Sequence, residues 1–272
     1  MARLGENRWG KTDVRVSKVH HAEGEDRFSD LTVQILLSGD VELAHTEGDN
    51  TAVLPTDTMR NIVYCLAQEH LTGDIEAFGA VLCDHFLSRS QVTGVTVSIS
   101  EQIWGRVGPT GFIGGGTERR TTRVSGDGGS TRTRAGIERL VVLKTTGSAF
   151  SGFPRDEFTI LPDADDRVLA TSVTANWSYS RLPVDTSVAW SSARESILSC
   201  FFSNWSASVQ HQGWQMANAV LDAVPEIDEI EFHLPNQHHL PFDLTRFGMV
   251  DQGMVFQPVS EPYGDIRFTV TR

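Results

Sequence analysis

No stretch of the 272-residue chain approaches the roughly 18 consecutive apolar residues that a membrane-crossing helix requires. No membrane association is therefore expected. Cysteine is scarce: Cys65, Cys83 and Cys200 are far apart and form no Cys-x-x-Cys pair. That argues against a disulfide framework and suits a reducing compartment. The three read most simply as small, buried apolar side chains. Met1 to Lys11 is polar and charged, unlike the apolar centre of a secretory signal. The final Thr-Val-Thr-Arg is not a peroxisomal address, so the expectation is a cytoplasmic protein. Several catalytic fingerprints are missing, among them Gly-x-Ser-x-Gly, His-Glu-x-x-His and the dinucleotide-binding glycine pattern. The glycines at 114–116 and 126–129 lack the Gly-Lys-Ser/Thr and the following helix of a phosphate loop. His233, His238 and His239 cluster, but no cysteine or carboxylate completes a metal-ligand spacing, so no metal site is expected. A formal charge of −12 argues against nucleic acid as a partner. It leaves room for a small anion held by a local arginine.

What the chain does have is periodicity. Val14 and Val16, then Leu31, Val33, Ile35 and Leu37, alternate with polar residues as half-buried strands do. From Asp57 to His70 the spacing of Met59, Ile62, Val63 and Leu66 predicts a helix, with Thr56 or Asp57 as its cap. Gly73 ends it, Ile75, Phe78, Leu82 and Phe86 mark a second helix, and Val95 to Ile103 alternate again. The second half repeats the order. Leu140 and Val142, then Val168 and Ala170, predict strands. Ile197 to Phe202 and Trp214 to Leu221 predict helices, and Ile230 to Leu234 and Ile266 to Val270 predict closing strands. Runs of strands followed by runs of helices indicate an α+β fold with antiparallel sheet. The expected organisation is a first unit over 1–136 and a second over 137–272. The Gly-, Thr- and Arg-rich stretch 108–136 between them reads as a loop, either a mobile connection or a long twisted hairpin.

Five segments carry a more specific signal: Trp9-Gly10-Lys11-Thr12; Asn50 to Asn61, containing Thr56-Asp57-Thr58; Lys144-Thr145-Thr146 through Phe150 and Phe153 to Asp166-Arg167; Ser206-Ala207-Ser208-Val209-Gln210; and Leu234-Pro235-Asn236-Gln237-His238. Together, in this order, they resemble the urate oxidase (uricase) family along nearly the whole chain. The resemblance implies a tandem T-fold of two antiparallel ββααββ units, assembled as a homotetramer into a tunnel-like barrel. It also implies oxidation of urate by O2 and water to 5-hydroxyisourate and hydrogen peroxide, the first step of urate degradation. No metal or organic cofactor is implied, and the active sites lie between subunits.

The implied roles suit the chemistry of these side chains. Urate is a flat, anionic purine with donors and acceptors on its rim. The Arg167 guanidinium matches the group that grips one edge through two parallel hydrogen bonds. The Gln210 amide both donates and accepts, and the Val209 backbone adds a contact. Phe150 stacks on the ring. Backbone amides at Thr56 and Asp57 meet the far edge, where exposed N–H groups suit an anion. Lys11, Thr56 and His238 form the proton relay, and Asn236, with Thr56, faces the oxygen or water above the ring. Taken one at a time, these residues have plainer readings: a surface ion pair for Arg167, core for Phe150, a solvated charge for Lys11, a polar turn for Asn236 and His238. It is their common register that favours function.

Trp9 stands where the family usually has Tyr, Pro55 where a small residue is common, and His239 where an aromatic is usual. None of these departures removes an implied functional side chain. Two other classes compete. A T-fold pterin enzyme anchors its heterocycle with a glutamate and in some cases uses zinc. A silent relative binds a purine without turnover.

Overall fold

The computed structural model describes residues 2–182 and 185–272. The chain separates into two compact units, Met1–Gly136 with Val184–Ser187, and Ile137–Pro183 with Val188–Arg272.

The first unit begins with β1 (Trp9–His20) and β2 (Arg27–Gly39). A short α1 (Glu42–Thr46), absent from the sequence reading, precedes α2 (Thr56–His70) and α3 (Ile75–Leu87), and β3 (Val92–Val107) and β4 (Gly111–Gly126) follow. The four strands pair antiparallel in chain order. Period-2 alternation turns Leu31, Val33, Ile35 and Leu37 of β2 and Val95, Val97 and Ile99 of β3 to the same face. Met59 and Val63 of α2 and Phe78, Leu82 and Phe86 of α3 complete that core. Complete burial of each such side chain stabilises by about 1.5–3 kcal/mol.

Polar contacts fix the direction of α2. Trp9 Nε1 of β1 donates to the carbonyl of Leu54, just before the helix (3.2 Å). Lys18, nine residues on, donates to the carbonyls of Ala67 and Gln68 near its end (both 2.9 Å). The helix therefore runs in the same sense as β1, with its N-terminus beside the Trp9–Lys11 end. The expected cap differs: Pro55 is the N-cap, with φ −60° and ψ 135°, Thr56 is the first helical residue, and no side chain caps the turn. Proline fixes its own φ and has no N–H to place, so it serves at this boundary without a hydroxyl's help.

The 108–136 stretch, expected as a loop, is strand over most of its length, with β4 and the start of β5 (Thr131–Lys144) joined at 127–130. Its apolar residues are too sparse to display the alternation. Arg120, Thr122 and Val124 nonetheless occupy buried positions two apart, and pairing with β3 supplies the ladder that the pattern does not announce.

In the second unit β5 leads to β6 (Leu169–Tyr179), α4 (Thr186–Ser203), α5 (Val209–Ala223), β7 (Ile227–Pro241) and β8 (Phe256–Thr271). β6, β7 and β8 pair antiparallel. Val173, Ala175, Trp177, Ile230, Phe232 and Leu234 of the strands and Ile197, Phe201, Met216 and Val220 of the helices are all buried. Gly213 brings α5 so close to the sheet that a Cβ there would lie 2.4 Å from Phe268 Cζ and 2.8 Å from Leu234 Cδ1. At the other end, Arg272 donates to the carbonyls of Leu221 and Ile227. α5 therefore runs opposite to β7, and its N-terminus points toward the Asn236 end of that strand. The fold is α+β with antiparallel strands, the ββααββ order occurring twice with α1 added.

Candidate functional site

The candidate residues fall into one group on each unit. On the first, Lys11 is partly buried in β1 and pairs with Ile35. Its position is set from both sides. A Cβ at Gly10 would sit 1.9 Å from the Ile35 carbonyl oxygen, so only glycine permits this approach of β1 to β2. Beyond Lys11 the register shifts and Asp13 adopts φ 56°, the mark of a bulge that re-aims the strand. The indole of Trp9 then holds this strand end to the segment leading into α2. No side chain among the described residues caps α2, and Thr56 and Asp57 are exposed at its start. A helix start of this kind attracts an anion. The Asp57 carboxylate is turned toward Arg60 (2.8 Å).

On the second unit, residues 146–150, 163–167 and 204–212 are knotted together. Asp166 accepts from the Thr146 hydroxyl, from Gly147 N (2.8 Å) and from Ser148 N (3.3 Å). The Thr146 hydroxyl, followed by those amides, holds its carboxyl below the usual range, so it stays ionised. Arg167 N donates to Ser148 O (2.7 Å), and Phe150 and Ala164 exchange backbone hydrogen bonds (2.7 and 2.9 Å). The result places the Arg167 guanidinium 5.4 Å from the centroid of Phe150. Phe153 stacks on the same ring at 4.9 Å and 14°. Burial lowers the Arg167 pKa, yet a guanidinium remains charged at any ordinary pH. Its Nε is buried without a hydrogen-bond partner among the described residues.

Ser148 and Ser206 form a parallel bridge, with Ala149 N donating to Ser206 O (2.8 Å) and Ser206 N to Gly147 O (3.0 Å). This brings the start of α5 beside the Arg167 segment. Ser208 is the N-cap and accepts from His211 N (3.1 Å). Val209 is buried, whereas Gln210 is exposed at the head of the helix. Asn236, 9% exposed, lies on the face of β7 that also carries Leu234. Its Nδ2 is 3.4 Å from His238 Nδ1, across a register shift in the β7–β8 ladder. Phe150, Arg167, Val209 and Gln210 are thus joined through Ser148 and Ser206. Asn236 and His238 form a pair on the strand toward which α5 points.

Sequence reasoning gave no role to Gly10, Ser148, Ser206, Asp166 or Lys144 as supports. Lys144 left a legible signal, since Leu140, Val142 and Lys144 occupy successive inward positions of β5. A lysine where the alternation demands an apolar residue asks for a reason. The others act through backbone contacts that no pattern displays.

Comparison with known proteins identifies the family. A family model described as Uricase matches residues 7–125 and 133–267. The uricase of Arthrobacter globiformis is 39% identical, with 99% of this chain and 90% of that protein covered. The uricase of Dictyostelium discoideum is 38% identical over 100% of this chain and 98% of that one. The crystal structure of the Arthrobacter globiformis uricase superposes with a TM-score of 0.95, covering 100% of this chain and 96% of that chain. Matched along nearly its whole length by the family model and by relatives above 30% identity, the chain belongs to the uricase family.

Proposed function

We propose that the chain oxidises urate with O2 and water, giving 5-hydroxyisourate and hydrogen peroxide, without a metal or organic cofactor. The observation that carries this reading is the Arg167–Phe150 arrangement. A charged guanidinium lies over an aromatic ring, its Nε buried with no hydrogen-bond partner among the described residues, on a segment tied to the head of α5. A flat anion held at this aromatic cluster would meet a two-pronged donor in Arg167, with the Gln210 amide and the Val209 backbone supplied by the adjoining start of α5.

Urate is electron-rich, and removal of a second proton makes it a stronger reductant. The dianion passes two electrons to O2, which takes up two protons and leaves as peroxide. Water then adds to the oxidised purine. The protein's share is proton transfer and placement. Lys11 and Thr56 remove the proton, the Thr56 and Asp57 amides hold the far edge of the anion, His238 completes the relay, and Asn236 directs oxygen or water over the ring. From the resemblance to the uricase family, we assign the working form to a homotetramer with sites between subunits, forming a tunnel-like barrel. The units are read as T-fold repeats over 1–136 and 137–272. Three free cysteines suit a reducing, cytoplasmic setting.

The test is loss of urate absorbance with simultaneous oxygen uptake, on metal-stripped protein. Stoichiometric urate loss, oxygen uptake and peroxide are expected. Arg167→Ala should weaken urate binding by roughly 2–5 kcal/mol, the range for losing one partner of a buried charged pair. Urate binding without oxygen uptake would reject turnover, and dependence on restored metal would reject the cofactor-free reading.

A further inference from the structure

A strand position that faces a core is ordinarily apolar, and a buried ammonium costs several kcal/mol unless its hydrogens are satisfied. Lys144 occupies such a position, at 8% exposure. Its Nζ donates to the Asn204 carbonyl, just past α4, and to Gln212 Oε1, in the first turn of α5, both at 2.7 Å. The ammonium also lies 5.4 Å from the centroid of Phe201, a cation–π contact from a third direction. Gln212 is itself 1% exposed and donates from Nε2 to the Cys200 carbonyl (3.4 Å).

One side chain thus pins both ends of the 204–212 segment. Between those ends lie Ser206, paired with Gly147 and Ala149, and then the Ser208 cap, Val209 and Gln210. Two residues beyond Lys144 in the chain, Thr146 begins the turn from which Arg167 hangs through Asp166 and Ser148. Lys144 therefore sits where the strand supporting Arg167 meets the segment supporting Gln210.

We propose that Lys144 is a positioning residue for the urate site, fixing the spacing between the Arg167 guanidinium and the Gln210 amide. It does this by tying the 204–212 segment to the end of β5. This rests on the reading of Arg167 and Gln210 as the urate grip. Lys144 touches no substrate. A methionine of similar volume fills the space but leaves the Asn204 carbonyl and the Gln212 oxygen without their donor, so the segment is free to shift.

The experiment compares Lys144→Met, Gln212→Leu and Gln212→Glu by steady-state kinetics and by anaerobic urate titration, with thermal melts to select folded variants. Arg167→Ala and Gln210→Ala are the controls. Lys144→Met and Gln212→Leu should raise urate KM and Kd by about tenfold or more while kcat moves less than about threefold, the signature of lost binding geometry rather than lost chemistry. Gln212→Glu keeps the acceptor for Lys144 and should restore KM to near the parent value. If Lys144→Met does not fold, the Leu and Glu variants at 212 decide. Folded Lys144→Met or Gln212→Leu enzyme with parental KM and Kd overturns the inference, as does a fall in kcat at unchanged KM. If Arg167→Ala and Gln210→Ala also leave Kd unchanged, the urate-grip reading falls first.

Discussion

Gly10→Ala is the sharpest single perturbation of the proton-removing side. The added Cβ would stand 1.9 Å from the Ile35 carbonyl oxygen, 2.9 Å from its carbon and 3.0 Å from Leu36 Cα. All three are backbone atoms of β2, with no flexible side chain to swing away. Since Cβ atoms essentially never approach other heavy atoms within 3.0 Å, the strand end must retreat by roughly 1 Å, comparable to the shift that separates a good hydrogen bond from none. Losing one or two ladder bonds at the Gly10–Leu36 and Lys11–Ile35 positions costs about 1–3 kcal/mol. Lys11 moves with the strand, and a displacement of about 1 Å from productive geometry costs on the order of 100-fold in rate. The assay is kcat at saturating urate, with urea unfolding on the same preparation. A modest loss of stability and a kcat near 1% of the parent, with urate affinity changed by less than about threefold, is expected. A folded Gly10→Ala enzyme with parental kcat refutes the argument that this close approach places Lys11 for turnover.

Lys11→Met should lower kcat by about 10²–10⁴-fold, the usual share of a general base, and largely spare anaerobic urate affinity; full turnover would show the relay to be wrong. Glu101 provides a pH prediction. Burial is the main cause that raises its carboxyl to about 7, partly opposed by Arg120 across the ladder and reinforced by Glu76 and Asp30. The folded state then binds more protons than the unfolded one between the ordinary value of 4.5 and about 7, so stability present below 4.5 is lost as pH rises through 7. At about 1.4 kcal/mol per tenfold in the equilibrium, the loss is of order 3 kcal/mol. Glu101→Gln should match the parent in urea unfolding at pH 5 and exceed it at pH 8; an equal difference at both pH values would contradict this. Gly213→Ala should cost about 1–3 kcal/mol by overpacking α5 against Phe268 and Leu234, read as a lowered urea midpoint; an unchanged midpoint would show that α5 has room to rise.

The α+β class and most element positions were legible because they depend on local periodicity. Leu31 to Leu37 alternate in the sequence and line one face of β2, and Met59 and Val63 mark the buried side of α2. The candidate residues were named from five motifs standing in register. Three local features were hidden. The helix start at Thr56 depends on Pro55's backbone rather than on a capping hydroxyl. Strand β4 carries Arg120 and Thr122 inward, where apolar residues would have signalled the period. The short α1 buries no residue that would mark it. The sequence by itself therefore determined the α+β class, the position of most elements and the family. Tertiary structure alone decided what holds the candidate side chains: the Ser148–Ser206 bridge that brings Arg167 beside α5, the Ile35 carbonyl that requires glycine at position 10, and the Lys144 ammonium shared by Asn204 and Gln212. The physical reason is range. Periodicity and capping are written within a few neighbouring residues, whereas these contacts join residues 25 to 68 positions apart and exist only once the core has closed.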